Sequence, residues 1–225
     1  MKKIAKLILL ISLFAVAGIA SAHQPYYVAK AGYTGVSEPE ISKAYYGLLP
    51  GKPAKFVIAT TTPFELYVGL LVPDRPNAGK NISAYIVYQD GTIVAHLDGE
   101  SFVWTKWHEE FAGDDYWQGP EFRGQMPAGT YTISVSSPHN WDRYVVAIGN
   151  RESFPLSSFL VTERQLYSVK TLFFGKPWYS MFEGKIGRYV LSGLIIFILI
   201  IIVFALLLWR LSRKSNKIRF LPPQE

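Results

Sequence analysis

The chain has 225 residues, 49% of them apolar, with 23 Lys and Arg against 17 Asp and Glu and no cysteine. Without thiols, disulfides, cysteine catalysis, Cys-ligated zinc and lipidation of an N-terminal cysteine are excluded, and any folded domain rests on apolar packing. The net charge of +6 suggests nucleic acid at first sight, but residues 23–188 carry 15 basic against 16 acidic side chains, so the excess belongs to the two ends and nucleic-acid binding is not supported.

Lys2, Lys3 and Lys6 open the chain, followed by an apolar run from Leu7 to Ala20 and the small residues Ala20-Ser21-Ala22. This is the layout of a secretory signal peptide over residues 1–22, with His23 as the mature amino terminus.

Between residues 26 and 150, short runs rich in Val, Ile, Tyr, Phe and Thr alternate with Gly, Pro, Asn and Asp. Strands are predicted at 54–60, 64–72, 82–88, 92–97, 101–109, 130–136 and 143–149. Tyr131, Ile133 and Val135 share one face of their strand. Phe64, Leu66, Val68 and Leu70 share a face too, and because Tyr67 and Leu71 make the opposite face apolar, that strand is predicted to be central. Gln89-Asp90-Gly91-Thr92 is a hairpin turn between two strands. The expected fold class is mainly β: an antiparallel, jelly-roll-like sandwich over residues 23–152.

From Leu156, the apolar positions Phe159, Leu166, Val169 and Phe173 recur at helical spacing, with Glu163, Arg164 and Lys170 between them. They predict an amphipathic helix capped by Ser157 or Ser158, either packed on the sandwich or lying on the outer leaflet. It opens a juxtamembrane connector, 153–186, whose Trp178, Tyr179 and Phe182 suit a headgroup layer. Tyr189 to Trp209 carries no charge, and at ~1.5 Å per residue it makes a helix about 31 Å long, enough for a bilayer core. A transmembrane helix is expected over 187–210 and a basic tail over 211–225, with Arg213, Lys214, Lys217 and Arg219 on the cytoplasmic side and the sandwich extracytoplasmic.

The stretches SEPEISKAYYGLLPGKPAKFVI, ISAYIVYQDG, PAGTYTISV and RYVVAIG, within residues 37–149, together resemble the bacterial pre-peptidase C-terminal domain. That family is a small jelly-roll sandwich appended to secreted enzymes, and the resemblance implies binding, positioning or assembly outside the membrane rather than catalysis. Its early acidic motif stands here as Glu38-Pro39-Glu40-Ile41 without the Asn and Asp that follow in the family. Because some members bind calcium there, the resemblance implies calcium at Glu38 and Glu40. The chain also resembles prokaryotic membrane-anchored proteins with an export signal, one such sandwich and one span.

Two groups of residues have chemistry of their own. A mature N-terminal His23 offers an amine and a ring nitrogen to one metal, and a second imidazole, from His108 or His139, would complete a copper-binding nitrogen site. Such a brace occurs in copper-dependent polysaccharide monooxygenases, and exported copper carriers also use an N-terminal His on a β-sandwich. The stretch Trp104 to Arg123 combines Trp107, Tyr116 and Trp117, suited to stacking on a sugar, with Asp114 and Asp115, whose oxygens suit calcium. Its Ala112-Gly113-Asp114-Asp115 portion is predicted to be a loop, with Phe102 and Trp104 sharing a buried strand face. Glu109-Glu110 and Asp114-Asp115 could be paired as glycosidase carboxylates, but a sequence does not give their separation. Neither a G-x-S-x-G elbow nor an H-E-x-x-H helix is present. Asn81-Ile82-Ser83 is a glycosylation sequon.

The expected function is a membrane-anchored, extracytoplasmic and non-catalytic binding module, a subunit of an envelope complex. Its expected partners are the lipid bilayer and another envelope protein or a surface glycan. The alternatives are copper binding or delivery through His23, and a domain that binds or acts on polysaccharide.

Overall fold

The computed structural model of the chain describes residues 23–29, 32–76, 78–153 and 159–218. The predicted leader, the cap at Ser157 or Ser158 and the end of the tail lie outside the described residues. The chain divides into two units, one closing at Gly184 and the other containing the chain from Lys185 onward.

In the first unit, two sheets stack on a common core. One holds β1 (Gln24–Val28), β3 (Lys43–Leu48), β11 (Arg143–Ile148), β5 (Phe64–Pro73), β9 (Asp114–Met126) and β8 (Thr105–Glu109), in that spatial order. The other holds β2 (Tyr33–Val36), β4 (Ala54–Thr60), β10 (Gly129–Ser136), β6 (Ser83–Tyr88) and β7 (Ile93–Leu97). The sandwich expected from the alternation is present. Both sheets are mixed, because β1 runs parallel to β3 and β2 parallel to β4 at one edge of each. The chain thus lends its first strand to one sheet and its second to the other. Pro25 sits in edge strand β1, where a missing N–H leaves no ladder bond unmade in the sheet interior.

Phe64, Leu66, Val68 and Leu70 point from β5 into the core, and Tyr131, Ile133 and Val135 face them from β10. Phe64 and Tyr131 meet edge to face with ring centroids 5.7 Å apart. Tyr67 and Leu71 emerge on the other side of β5, which is flanked by β11 and β9 as a central strand should be. The β6–β7 turn closes as expected, with Gly91 at φ 89° and the Asp90 carboxylate accepting from Thr92 N.

The stretch around residues 101–123 departs from expectation. Only Thr105–Glu109 is strand, so Phe102 lies in a loop, 42% exposed, while Trp104 is buried and donates from Nε1 to Gly99 O. Asp114 and Asp115 begin β9, the longest strand, instead of lying in a loop. The pairing of β9 with β5 shifts register between Gln118 and Glu121, opposite Leu71 and Gly69, which puts a bulge at Gly119-Pro120. A bulge reverses side-chain parity. Asp114 and Tyr116 are buried away from the main core before it, whereas Phe122 and Met126 pack into that core after it.

The connector forms a third layer. A helix, Phe159–Ser168, runs into a wider π turn, Val169–Phe173, and after Gly175 a 3-10 turn spans Trp178–Phe182. Leu166, Val169, Phe173 and Phe174 are buried, and the last three pack with Tyr46, Tyr116 and Val145 on the outer face of the β1–β8 sheet. Gln165 Oε1 accepts from Tyr27 N at 2.8 Å, so the helix covers a free donor on edge strand β1. Lys170, one of the charged residues set between the apolar positions, is completely buried. Standing four residues after Leu166 and three before Phe173, it shares their side of the connector.

The described residues of the second unit belong to the helix Gly184–Ile218. Its Gly187–Arg210 stretch, with a mean hydropathy of 3.4, is long and apolar enough to cross a membrane.

Candidate functional site

On the outer face of the β1–β8 sheet the connector leaves a groove. It is lined by Tyr67 of β5, Trp107 and Glu109 of β8, Glu121 and Arg123 of β9, and His23, Ser42, Asn150 and Glu152, around a cavity of about 260 Å³. A second hollow of about 200 Å³ shares His23, Tyr67, Trp107 and Glu121 and continues over Gly69, Leu71 and Ala147. Tyr67, Gly69 and Leu71 are alternate positions of β5 on this face, and the glycine at 69 keeps the floor low.

The lining mixes aromatic surface with charge of both signs. The Tyr67 hydroxyl donates to Glu121 Oε2 at 3.0 Å, and burial, reinforced by that carboxylate, pushes its pKa up to about 12. Arg123 lies 5.5 Å from the Tyr67 ring centroid and 3.5 Å from Glu65. Glu109 accepts from Phe111 N at 2.7 Å and Ala112 N at 2.6 Å. Burial raises its pKa above the usual carboxylate range despite those bonds, and the nearby Asp114 charge adds to the rise.

His23 sits half-buried in this groove, its Nδ1 bonded to the Ser42 hydroxyl. Burial lowers its pKa, with Glu152 opposing, so the ring is neutral at neutral pH. The other candidate imidazoles lie elsewhere. His108, on β8, pairs with Asp115 at 2.7 Å, and His139 is exposed in the turn between β10 and β11. Neither lines the groove. The fourth imidazole, His96, stacks on Tyr85 of the other sheet at 4.1 Å. Among the described residues no three His, Asp or Glu side chains come together as a metal site.

The carboxylates singled out for calcium have other partners. Asp114 is fully buried and lies 2.8 Å from both Lys170 and Lys176, so two ammonium groups surround its carboxylate. Glu38 is held at φ 45° in the turn before β3, where the buried Lys43 ammonium donates to the carbonyls of Ser37 and Glu38. Glu40 accepts from Glu65 N at 3.1 Å. The Glu40 carboxylate also lies 3.9 Å from the Arg151 guanidinium.

The three aromatics proposed for stacking are separated by burial. Tyr116 is a core residue of the outer layer, its hydroxyl 3.2 Å from that of Tyr46. Trp117 is covered by Lys80 at 3.8 Å and Lys106 at 5.0 Å from its ring, and it donates to Asp74. Trp107 alone lines the groove, 38% exposed and tilted against Tyr116. Glu121 and Arg123 lay in the stretch that the sequence singled out, whereas Tyr67 and Glu152 were missed. Their one signal was that Tyr67 faces away from the core in a central strand, which requires something on the far side of the sheet. At the sequon, the Asn81 amide oxygen is buried without a hydrogen-bond partner.

No protein-family model matches the chain, and no curated protein is similar to it in sequence. Among solved structures, it is similar to the pre-peptidase C-terminal domain of collagenase from Bacillus anthracis, with 9% identity and a TM-score of 0.34 over 53% of this chain and 96% of that one. It is also similar to CorA, a surface-associated copper-binding protein of Methylomicrobium album BG8, with 7% identity and a TM-score of 0.30 over 56% of this chain and all of that one. A likeness to the catalytic domain of a GH87 α-1,3-glucanase has a TM-score of 0.25 at 16% identity and covers 22% of that chain. The first of these is the domain type that the sequence resembles, and each is a likeness of sheet architecture alone.

Proposed function

We propose that this chain is a single-pass membrane protein that presents its sandwich outside the membrane as a non-catalytic binding module, a subunit of an envelope complex. The groove beside Tyr67 and Trp107 is its contact surface. The observation that carries this reading is the composition of the groove: two aromatic rings, one guanidinium, an amide and several carboxylates face a cavity of about 260 Å³ on a sheet face that the connector only partly covers. Aromatic anchors ringed by polar groups are what contact surfaces bring together. Photo-crosslinking residues at Trp107 and Glu121, with Lys52 as a control position, test it in native membranes. A discrete adduct at the two groove positions and not at the control supports the reading, and equal labelling at all three defeats it.

One observation favours copper as a second reading. His23 is the imidazole that lines the groove, and its ring is held neutral, as a ligand nitrogen must be. Signal peptidase cleavage after Ala22 would add its amine.

A further inference from the structure

We propose that the connector from Tyr167 to Phe182 is a lipid-docking surface. Clamped to the sandwich on its inner side, it lays Tyr167, Leu172, Trp178 and Tyr179 into the headgroup layer of a phospholipid bilayer.

The inner side of the connector is fixed at several independent points. Val169, Phe173 and Phe174 are buried in the outer layer with Tyr46 and Tyr116. Lys170 and Lys176 each lie 2.8 Å from the buried Asp114, and Lys170 also donates to Ala112 O at 2.6 Å. Arg75 caps the end of the π turn by donating to Phe173 O at 3.0 Å. Lys176 ties the following turn to Glu183 at 3.1 Å. A segment held by buried ion pairs and ring packing is part of the domain and not a loose linker.

Its outer side is unlike the surface of a soluble domain. Tyr167 is 48% exposed, Leu172 59%, and Trp178 and Tyr179 61% each. Lys170 faces inward while Leu172, two residues on, faces outward. Trp and Tyr pair an apolar ring with one polar atom, so they partition to the boundary between headgroups and hydrocarbon. The occupant is read from chain order: Phe182 stands five residues before Gly187, where the apolar stretch begins. A surface of rings so close to a bilayer-length helix is within reach of lipid, and a large aliphatic patch for a second protein is not what it offers.

The proposal rests on reading residues 187–210 as a membrane span, and its test separates the two. The natural chain has no cysteine, so single-cysteine variants carry one nitroxide each without background labelling. Leu172→Cys and Tyr179→Cys probe the connector, Leu199→Cys the long helix, and Lys52→Cys an exposed loop of the sandwich, all in the full-length protein in phosphatidylcholine vesicles. All four positions are exposed, so none disturbs the core. The expected result is that labels at 172, 179 and 199 collide mainly with dissolved oxygen, which concentrates in lipid, while the label at 52 collides mainly with a water-soluble nickel chelate. If 172 and 179 behave like 52 while 199 reports lipid, the docking surface is overturned and the span stands. If all four report water, both fall. If all four report lipid, the sandwich itself is immersed and the proposal is again overturned.

Discussion

Asp114 and Lys170 lie 2.8 Å apart, and neither side chain is exposed to solvent. The sequence marks one as a loop acid and the other as a charged residue set between apolar helix positions. Together they join β9 to the connector. Desolvating two charges costs much of what their attraction returns, so the pair contributes more to fixing the connector in one place than to net stability.

Removing one partner is a different matter, because it strands the other charge in the interior. Asp114→Asn should destabilise the first unit by about 3–5 kcal/mol. Lys176→Gln, which removes the half-exposed partner on the same carboxylate, should cost only about 1 kcal/mol. Denaturant unfolding of the detergent-solubilised chain, followed by tryptophan fluorescence, measures both, and equal costs would contradict the ion-pair geometry.

Much of the sandwich was legible because alternation writes a buried face directly into the chain, as at Phe64-Leu66-Val68-Leu70 and Tyr131-Ile133-Val135. The outer layer was not. β9 changes parity at Gly119-Pro120, so no single alternation covers it, and Tyr116 reads as an exposed ring although it is buried. In the connector, Lys170 stands on the apolar side with Leu166 and Phe173, yet its charge reads as surface. The groove drew on β5, β8 and β9 plus the chain on either side of the sheet, and such a gathering depends on strand order, which a sequence does not display. His23, Trp107 and Glu109 were candidates that the fold brought into it.

The bulge also sets a test at Gly119. A Cβ there would lie 2.5 Å from two ring carbons of Trp104 and 3.0 Å from Leu70 O. Trp104 is buried and anchored through Nε1, so it cannot simply swing aside. Gly119→Ala should cost about 1–3 kcal/mol as an overpacking change. Gly35→Ala, where a Cβ meets nothing within 4 Å, should change stability by no more than about 0.5 kcal/mol. Thermal melts of the two variants beside the parent give the comparison.

His23 makes folding pH-dependent in a stated direction. Burial lowers its pKa in the folded chain from the ordinary value of 6.5. Below 6.5 the unfolded chain therefore takes up a proton that the folded chain refuses until a lower pH. The stability from keeping the ring neutral is complete above 6.5 and is lost as pH falls through the folded value. His23→Gln should flatten the fall in melting temperature on that acid side. Parallel slopes for parent and variant would show that the ring is not shielded.

The same residue decides the copper reading. A nitrogen site for Cu(II) needs more than one strong donor near the ion. Here the groove supplies the His23 ring, while His96, His108 and His139 line neither hollow, and His108 and His96 are engaged by Asp115 and Tyr85. Any tight binding must therefore come from the amine that leader cleavage would create at His23. The decisive comparison titrates copper into the full-length protein with His23 as its true first residue, into the same protein carrying one extra residue ahead of it, and into His23→Gln. The expected outcome is weak binding that the extra residue does not change, with the groove acting as a contact surface. Tight binding that is lost in both altered forms would make His23 a copper ligand and place the chain among metal-handling proteins.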